Sequence, residues 1–372
     1  MYIKSVELQN FRNYRRVSVP FHPKINIFLG QNAQGKTNLL ESIYITSLGK
    51  SFRTNKDKEL IQFHQEFCKV KLSAVKEDQE VTVEIAVNQD GKKGIKINGV
   101  KIKKTSELLE HIYISIFSPE DLKIVKEEPE KRRKFLDREL CQIKPSYYNQ
   151  LNQYRRVLSQ RNAYLKEPEI DETALDIWDA ELAGCGAFVM AQREAFIRKI
   201  NPVSGQIHQA ITDNKEALAV SYEPSIRAME QPKEQAAFFY EELKQGRSND
   251  IRNKTTGKGP HKDDFKITVN GMDIRKFGSQ GQQRTAALSL KLSEIKLIRE
   301  ETGEHAVLLL DDVLSELDQQ RQTFLIQSLE ETQIFITATE IPRELADSLP
   351  EGTYFFIQEG TVAEKGSRPQ SR

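Results

Sequence analysis

The chain has 372 residues, 38% of them hydrophobic and 29% charged, and its formal net charge is +1. This length is greater than that of a typical single domain, so we expect one large domain or two linked domains. The composition is that of an ordinary globular protein, and a charge near zero neither indicates nor excludes a nucleic-acid partner. The first residues lack the pattern of a signal peptide, and no apolar run reaches the ~20 residues that span a bilayer, so we expect a cytoplasmic protein with no membrane partner. The three cysteines, Cys68, Cys141 and Cys185, form no C-x-x-C pair and are expected to be small apolar residues in a reducing compartment.

The first third of the chain reads as strands around one helix. Residues 2–8 and 81–87 alternate apolar and polar side chains, as in strands with one buried face. Residues 25–29 form a short apolar run that is typical of a fully buried strand. A helix is predicted from Thr37 to about Ser47.

A helical region follows from Ser118. Serine as N-cap, Pro119 at the first helical position and Asp121 three residues after the cap predict a helix start. Amphipathic patterns then cover residues 147–165 and 175–200, and we expect helix breaks at Asn201-Pro202 and around Pro224. This region is the candidate second domain.

Strands return in the last third. Residues 265–269 and 272–277 flank Asn270-Gly271 and predict a β-hairpin. Helical and strand patterns then alternate over residues 282–299, 307–310, 319–329, 334–337 and 354–357. This alternation predicts an α/β domain with a mixed, largely parallel sheet, split in sequence by a mainly helical insert. The expected boundaries are 1–118 for the N-terminal part of the α/β head, 119–250 for the helical arm, 251–365 for the C-terminal part of the head, and 366–372 for a flexible tail.

Residues 30–37, GQNAQGKT, match the Walker A pattern G-x-x-x-x-G-K-[ST] between a strand and a helix. Glycines allow successive backbone N–H groups to wrap phosphates, and the N-terminus of the helix favours their charge. We expect Lys36 to reach the β- and γ-phosphate oxygens and to act in catalysis, and the Thr37 hydroxyl to bind Mg²⁺. The residues expected to bind ATP are Gly30, Gln31, Asn32, Ala33, Gln34, Gly35, Lys36, Thr37 and Asn38.

Two acids end the apolar strand at residues 307–312, VLLLDD, as in a Walker B motif. Asp311 is the predicted magnesium partner of Thr37. Asp312 is the predicted catalytic residue that positions the attacking water. ABC-type ATPases usually carry a glutamate there, and because aspartate is one methylene shorter we expect slow hydrolysis that suits a timed switch.

Ser279-Gln280-Gly281-Gln282 matches the S-x-G-Q core of the ABC signature at the start of a helix. The serine hydroxyl, the glycine N–H and the positive end of the helix together form a candidate anion site, for which we single out Ser279, Gly281 and Gln282. After the Walker B strand, residues 315–318 resemble the D-loop, with Ser315 and Asp318 as its candidate functional residues.

Four further blocks follow one another along the chain: residues 8–14 (LQNFRNY), 118–122 (SPEDL) with Pro129, Arg132-Arg133 and residues 135–137, then 259–264 (GPHKDD) and 309–325. With these blocks the whole chain resembles the RecF family of bacterial ABC-type ATPases, which is related to the heads of chromosome-maintenance ATPases. Two departures from the family pattern occur. Glu127 and Glu128 replace a glycine and a small residue, and the switch histidine common in ABC transporters is absent, with Thr337-Ala338-Thr339 in its place. The sensor of the γ-phosphate is therefore assigned to Thr337 or Thr339.

The resemblance implies an ABC-type head with a helical arm and an ATP-dependent homodimer. In this class the signature acts in trans, on the γ-phosphate held by the other subunit. The family further implies binding to double-stranded DNA and gap edges, the partners RecR and RecO, RecA loading in repair, replication and the SOS response, and weak DNA-stimulated ATP hydrolysis. Basic and aromatic residues interleave near the start of the arm, and the candidate DNA contacts there are Lys131, Arg132, Arg133, Arg155 and Arg156.

Three other classes of protein share some of these motifs. Long-armed chromosome-maintenance and break-repair ATPases need hundreds of heptad residues, which this chain lacks. The ATPase subunit of a membrane transporter predicts a switch histidine and a shorter insert. A nucleotide-gated scaffold whose main partner is protein is separated poorly from the favoured interpretation by the sequence alone.

Overall fold

A computed structural model of the chain describes residues 1–229, 231–329, 331–341, 343–349 and 351–364, and the expected tail at residues 366–372 lies outside these ranges. The chain divides into a first unit, residues 1–123 with the described residues from 287 onward, and a second unit, residues 124–286. In the described residues the strands are β1 Tyr2–Phe11, β2 Tyr14–Pro20, β3 Ile25–Leu29, β4 Phe67–Lys76, β5 Gln79–Asn88, β6 Lys93–Ile97, β7 Val100–Lys101, β8 Ile114–Phe117, β9 Leu218–Glu223, β10 Asp264–Val269, β11 Met272–Asp273, β12 Val307–Asp311, β13 Ile334–Ala338, β14 Gly352–Gln358 and β15 Thr361–Glu364. The helices there are α1 Lys36–Leu48, α2 Pro119–Leu122, α3 Pro129–Ile143, α4 Pro145–Tyr164, α5 Glu172–Ile211, α6 Pro232–Asn253, α7 Ile274–Phe277, α8 Gln280–Thr302, α9 Gln319–Gln327 and α10 Arg343–Ser348.

A largely parallel sheet forms the centre of the first unit. Its strand order is β15-β14-β3-β13-β12-β8, and all neighbours are parallel except the edge pair β14 and β15. Every residue of β3 and β12 is buried, because a parallel sheet is covered on both faces. Aromatic rings fill the core beside it, and Phe21 meets Phe335 edge to face with 4.8 Å between ring centroids. The predicted α/β class with a mixed, largely parallel sheet is confirmed.

A second sheet of the first unit is antiparallel, in the order β2-β1-β4-β5-β6-β7. Residues of β4 alternate in burial, as expected for a sheet with one face on a core. The turn between β1 and β2 carries Asn13, which reaches the candidate functional site described below.

The second unit combines helices α3 to α6 with a three-stranded sheet of order β11-β10-β9. The core between the helices includes Tyr154, Leu182 and Phe239. Gly186 allows the close approach of α5 and α6, because a Cβ there would lie 2.3 Å from Phe239 Cε1. The predicted hairpin at Asn270-Gly271 is confirmed by the pairing of Val269 with Met272.

Some predicted elements were wrong. α5 does not break at Asn201-Pro202 but continues through Pro202 to Ile211. A proline inside a helix costs about 3 kcal/mol, but the buried apolar stripe continues past it, from Ile200 to Ile207 and Ile211, and its burial offsets that cost.

Two smaller differences concern strands. Residues 274–277 form helix α7 instead of continuing the hairpin. Residues 218–223, within the region read as helical, form strand β9, which pairs with β10 along its whole length. In the described part of the chain, no helix combines the length and the apolar character needed to cross a bilayer.

Candidate nucleotide site

The loop at residues 30–37 connects β3 to α1 at the carboxyl edge of the parallel sheet. Gly35 has φ 120°, a backbone conformation that favours glycine. A Cβ at this position would also lie only 2.6 Å from Asn13 Nδ2, so a larger residue does not fit. Lys36 folds back along the loop, where its Nζ donates to the Gly30 carbonyl at 2.8 Å and the Gln31 carbonyl at 3.2 Å. The loop backbone is thus held open in a cradle, with Gln31, Asn32 and Ala33 exposed at its tip.

Residues from the β1–β2 turn support this loop from behind. Asn13 Nδ2 donates to the Gln34 carbonyl at 2.9 Å, and the Tyr14 hydroxyl donates to the Gly35 carbonyl at 3.0 Å. Burial raises the pKa of Tyr14, which keeps its hydroxyl a neutral donor. The backbone N–H of Gly360, in the β14–β15 turn, also donates to the Gln34 carbonyl, at 3.1 Å. Sequence reasoning assigned no role to Asn13 and Tyr14, although both lie in the LQNFRNY block.

Thr37, Asp311 and Thr337 meet at the end of three neighbouring strands. Asp311 Oδ1 accepts from Thr37 Oγ1 at 2.8 Å and from Thr337 Oγ1 at 2.9 Å. The register explains this meeting, because Asp311 pairs with Thr337 and Thr337 pairs with Phe28, two residues before the loop. Asp311 is 8% exposed, and burial raises the pKa of its carboxyl, while the hydrogen bonds from Thr37 and Thr337 oppose the rise.

Asp312 follows Asp311 in a left-handed backbone conformation, with φ 53°. Its N–H donates to Thr337 Oγ1 at 2.9 Å, and its carbonyl accepts from Ser315 Oγ at 2.8 Å. Asp318 caps α9 by accepting from the Arg321 N–H at 3.0 Å. Thr337 is therefore part of the cluster around Asp311, whereas Thr339, two residues later, is exposed.

A group of polar side chains flanks the start of α1, and of these only Asn38 was assigned a role from the sequence. Asn38 Nδ2 donates to Asn13 Oδ1 at 2.8 Å, and Arg53 Nη1 donates to Asn38 Oδ1 at 2.6 Å. Glu41, whose side chain is fully buried, binds Arg12 at 2.7 Å and lies 3.4 Å from Arg53. The Arg53 side chain contacts Asn38, the residue that follows Thr37 in the sequence, and is 43% exposed.

These residues fit a nucleotide with its magnesium ion. A buried carboxylate that receives only hydroxyl hydrogen bonds is a typical ligand environment for a hard cation, and Thr37 adds a second oxygen. A loop of backbone N–H groups at a helix start, with a lysine inside it, suits a polyphosphate. The arrangement therefore supports binding of ATP by the loop and of Mg²⁺ by Thr37 and Asp311.

The signature residues lie in the second unit at the start of α8. Ser279 and Gln282 cap each other: the Ser279 N–H donates to Gln282 Oε1 at 3.0 Å, and the Gln282 N–H donates to Ser279 Oγ at 3.2 Å. Gly281 lies between them in the first turn of the helix. Because Ser279 is exposed and its oxygen accepts from the helix, its hydroxyl hydrogen is left to donate to an anion.

The five candidate DNA contacts have different surroundings in the second unit. Arg132 is 1% exposed and forms a paired hydrogen bond to Asp264 at 2.5 and 2.8 Å, so the expectation that it contacts DNA was wrong: its charge is already neutralised inside the unit. Arg133 donates to the Asp263 carbonyl at 2.8 Å. Arg155 binds Asp137 at 2.8 Å with half its side chain exposed, and Lys131 pairs with Glu127. Arg156 is 67% exposed, 3.9 Å from Glu181.

Comparison with known proteins covers nearly the whole chain. The family described as the RecF/RecN/SMC N terminal domain matches residues 2–349. The DNA replication and repair protein RecF of Clostridioides difficile (strain 630) is 45% identical over 364 residues, which are 97% of this chain and 98% of the relative. That of Alkaliphilus oremlandii (strain OhILAs) is 42% identical over 365 residues, which are 97% of this chain and 100% of the relative.

Solved structures give the same result. A structure of the recombination mediator protein RecF-ATP in the RecFOR pathway has a TM-score of 0.90 at 39% identity and covers 98% of this chain and 97% of its own. The Smc head domain of Pyrococcus furiosus, with a TM-score of 0.55 at 16% identity over 98% of this chain and 96% of its own, shows a shared fold alone. The chain therefore belongs to the RecF family, within the wider group described as RecF/RecN/SMC.

Proposed function

We propose that this chain is an ATP-dependent DNA-binding protein of recombinational repair and replication, which binds gapped or double-stranded DNA as an ATP-induced homodimer. The observation that carries the proposal is the meeting of Thr37, Asp311 and Thr337 beside the Lys36 loop, in a chain whose relatives are named DNA replication and repair proteins. Cytoplasmic action without a membrane partner is part of the same proposal.

The nucleotide site divides its work among a few side chains. The residues of the loop and Asn38 would hold the triphosphate, with Lys36 on the β- and γ-phosphate oxygens and Mg²⁺ on Thr37 and Asp311. When bound, ATP supplies the γ-phosphate whose hydrolysis ends the dimeric state. Asp312 orients the attacking water, and its short side chain makes hydrolysis slow. Thr337 is favoured over Thr339 as the sensor because its hydroxyl bonds Asp311.

Self-association depends on the signature in trans. Ser279, Gly281 and Gln282 of one subunit would bind the γ-phosphate held by the other, with Ser315 and Asp318 beside the shared site. The reciprocal cap at Ser279 supports this role, since it leaves the serine hydroxyl to donate at the positive end of α8.

The test is the mass of the full chain by sedimentation velocity in ATP and in ADP. We expect a dimer in ATP and a monomer in ADP. The Lys36→Ala variant should remain a monomer in ATP, because it no longer binds the nucleotide. Ser279→Arg should bind ATP as a monomer, because the added side chain blocks the phosphate of the other subunit. A wild-type chain that stays monomeric in ATP, with and without duplex DNA, would refute the proposal.

Turnover provides a second test of the same site. We expect hydrolysis that is slow, limited by Asp312, and raised by DNA. The Asp312→Asn variant should still dimerise in the presence of ATP but should not hydrolyse the ATP. A rate typical of fast motor ATPases would contradict the switch role.

Exposed basic residues and the relatives support DNA binding and the further partners. Arg156, Lys131 and Arg155 retain exposed side chains on the second unit and are the remaining arm candidates for phosphate contact, with Arg133 as a half-buried one. The relatives' place in the RecFOR pathway supports RecR and RecO as partners, and RecA loading at gap edges as the outcome.

A nucleotide-gated protein scaffold is the second candidate. It is favoured by the finding that the charge of Arg132, a candidate DNA contact, is paired with Asp264 inside the second unit. DNA affinity measured in ATP, in ADP and across salt concentrations separates the two functions, because phosphate contacts make log affinity fall linearly with log salt. If binding to duplex is neither ATP-dependent nor salt-sensitive, the scaffold is the better description.

A further inference from the structure

We infer that Glu216 is a positioning residue of the signature, which orients Gln282 and ties the start of α8 to the last turn of the arm helix α5. This inference rests on the proposed function, since it concerns how the signature is prepared for the phosphate of a second subunit. All the residues involved lie in the second unit.

The first step is the contact between Glu216 and Gln282. Gln282 Nε2 donates to Glu216 Oε1 at 2.8 Å, across 66 residues of sequence. A carboxylate accepts but cannot donate, so it fixes the amide with its NH₂ group toward Glu216. The amide oxygen then points to the Ser279 N–H, which is the bond observed.

The second step is the consequence for Ser279. Its N–H is satisfied by Gln282, and its oxygen accepts the Gln282 N–H, so the serine hydroxyl is turned to donate outward. If the amide of Gln282 rotated by half a turn, its NH₂ group would face the Ser279 N–H, and the reciprocal cap would be lost. Glu216 therefore selects the state of the signature that can receive an anion.

The third step is the support of Glu216 itself. Its other oxygen, Oε2, lies 3.1 Å from Nε2 of His208, which is fully buried in the last turn of α5. The next residue, Ala217, exchanges hydrogen bonds with Asn270 of the hairpin, at 2.8 Å from its N–H and 2.9 Å to its carbonyl. The carboxylate is thus held on both sides and is 21% exposed.

The experiment measures ATP-dependent self-association of full-length variants by sedimentation velocity. Glu216→Ala should weaken dimerisation about tenfold, the value of one charge-assisted hydrogen bond. Glu216→Gln keeps an oxygen acceptor without the charge, so its affinity should return to within about threefold of wild type. Asp213→Asn is the matched control: it removes an exposed acid from the same turn, whose carboxylate pairs with Lys215, and should leave dimerisation unchanged.

A double-mutant cycle separates positioning from a general effect on folding. If Glu216 acts through Gln282, then adding Glu216→Ala to Gln282→Ala should weaken dimerisation no further. Additive losses, or a Glu216→Ala chain that dimerises like wild type, would overturn the inference while leaving the dimer intact. A wild-type chain that fails to dimerise in ATP would overturn the proposed function and this inference together.

Discussion

Buried charges are handled differently around Asp311 in the first unit and around Arg161 in the second. Asp311 receives hydroxyl hydrogen bonds from Thr37 and Thr337, and it has no ion-pair partner among the described residues. Arg161 is fully buried and bonds two carboxylates, Asp179 at 2.6 Å and Asp250 at 2.7 Å. In the first arrangement no cation of the described ranges contacts the carboxylate, so a ligand can supply one, whereas in the second the buried charges already contact each other.

This difference shows how a functional charge is told from a structural one. A buried carboxylate that lacks a counter-ion destabilises the folded chain until a cation binds. An arginine between two aspartates orders the helices that carry them and has little left for an outside partner. The same reasoning explains why Arg132, bound to Asp264, does not contact DNA.

The largest effect on the free energy of unfolding is expected from removing Arg161, which pairs with Asp179 and Asp250. Arg161→Ala leaves Asp179 and Asp250 buried without their shared partner, which should lower the free energy of unfolding by about 3–5 kcal/mol. Arg198→Ala, on an exposed arginine that pairs with Glu194 one helical turn away, should lower it far less, because solvent screens that pair. Denaturant unfolding followed by circular dichroism measures both. Equal losses would show that the buried pairs have no special weight.

A second effect in the same unit depends on pH. His261 is half-buried between the Tyr154 hydroxyl, at 2.6 Å, and the Thr256 carbonyl, at 2.9 Å, and the loss of solvent lowers its pKa from 6.5 to about 4. Between pH 6.5 and about pH 4 the His261 side chain binds a proton in the unfolded chain but not in the folded chain. The free energy of unfolding is therefore highest above pH 6.5 and decreases as the pH is lowered toward about 4. The loss should reach about 3 kcal/mol. His261→Gln should make unfolding free energy less dependent on pH in this range, and an unchanged dependence would contradict the assignment.

A third prediction compares two buried aspartates directly. Asp311→Asn, without nucleotide at neutral pH, should raise the free energy of unfolding by about 1 kcal/mol, because it removes a buried charge that has no counter-ion. The same variant should lose stabilisation by ATP with Mg²⁺. Asp179→Asn should instead destabilise the chain by about 1.5–3 kcal/mol, since Arg161 and Arg247 both bond its carboxylate. Thermal unfolding with and without nucleotide measures both effects, and equal signs in the two variants would break the comparison.

The smallest effect on stability is expected at Arg156. Arg156→Ala should change the free energy of unfolding by less than about 1 kcal/mol. If its exposed guanidinium contacts a phosphate, the slope of log affinity for duplex DNA against log salt should fall by about one. Glu167→Gln, on an exposed acid after α4, is a control that should leave the slope unchanged. An unaltered slope in Arg156→Ala would remove this residue from the DNA surface.

Local patterns were sufficient for the centre of the first unit. The apolar runs at Ile25–Leu29 and Val307–Asp311, together with the glycine-rich loop, predict the strands and the loop that bring Thr37 to Asp311. The start of α2 was also predictable, because Ser118 and Asp121 form the expected cap. These features depend on residues that are close in sequence or on motifs with fixed spacing.

Features that depend on distant residues were not predictable. The support of the loop by Asn13 and the neutralisation of Arg132 by Asp264 join segments whose approach only the fold defines. Pro202 was taken as a helix end because its local rule is strong, and the buried stripe that carries the helix onward is a tertiary effect. For β9 a signal existed: residues 218–223, LAVSYE, place Leu218, Val220 and Tyr222 at every second position, but they lie inside a region dominated by helical patterns.

Pro202 also limits where the arm helix can bend. At about 1.5 Å per residue, α5 is a rod of roughly 60 Å. Because proline has no N–H, the carbonyl of Arg198 lacks its intrahelical hydrogen bond, and the helix bends most easily at this point. The piece of α5 beyond Pro202 carries His208, so the contact between His208 and Glu216 is separated from the long part of the helix by this missing hydrogen bond.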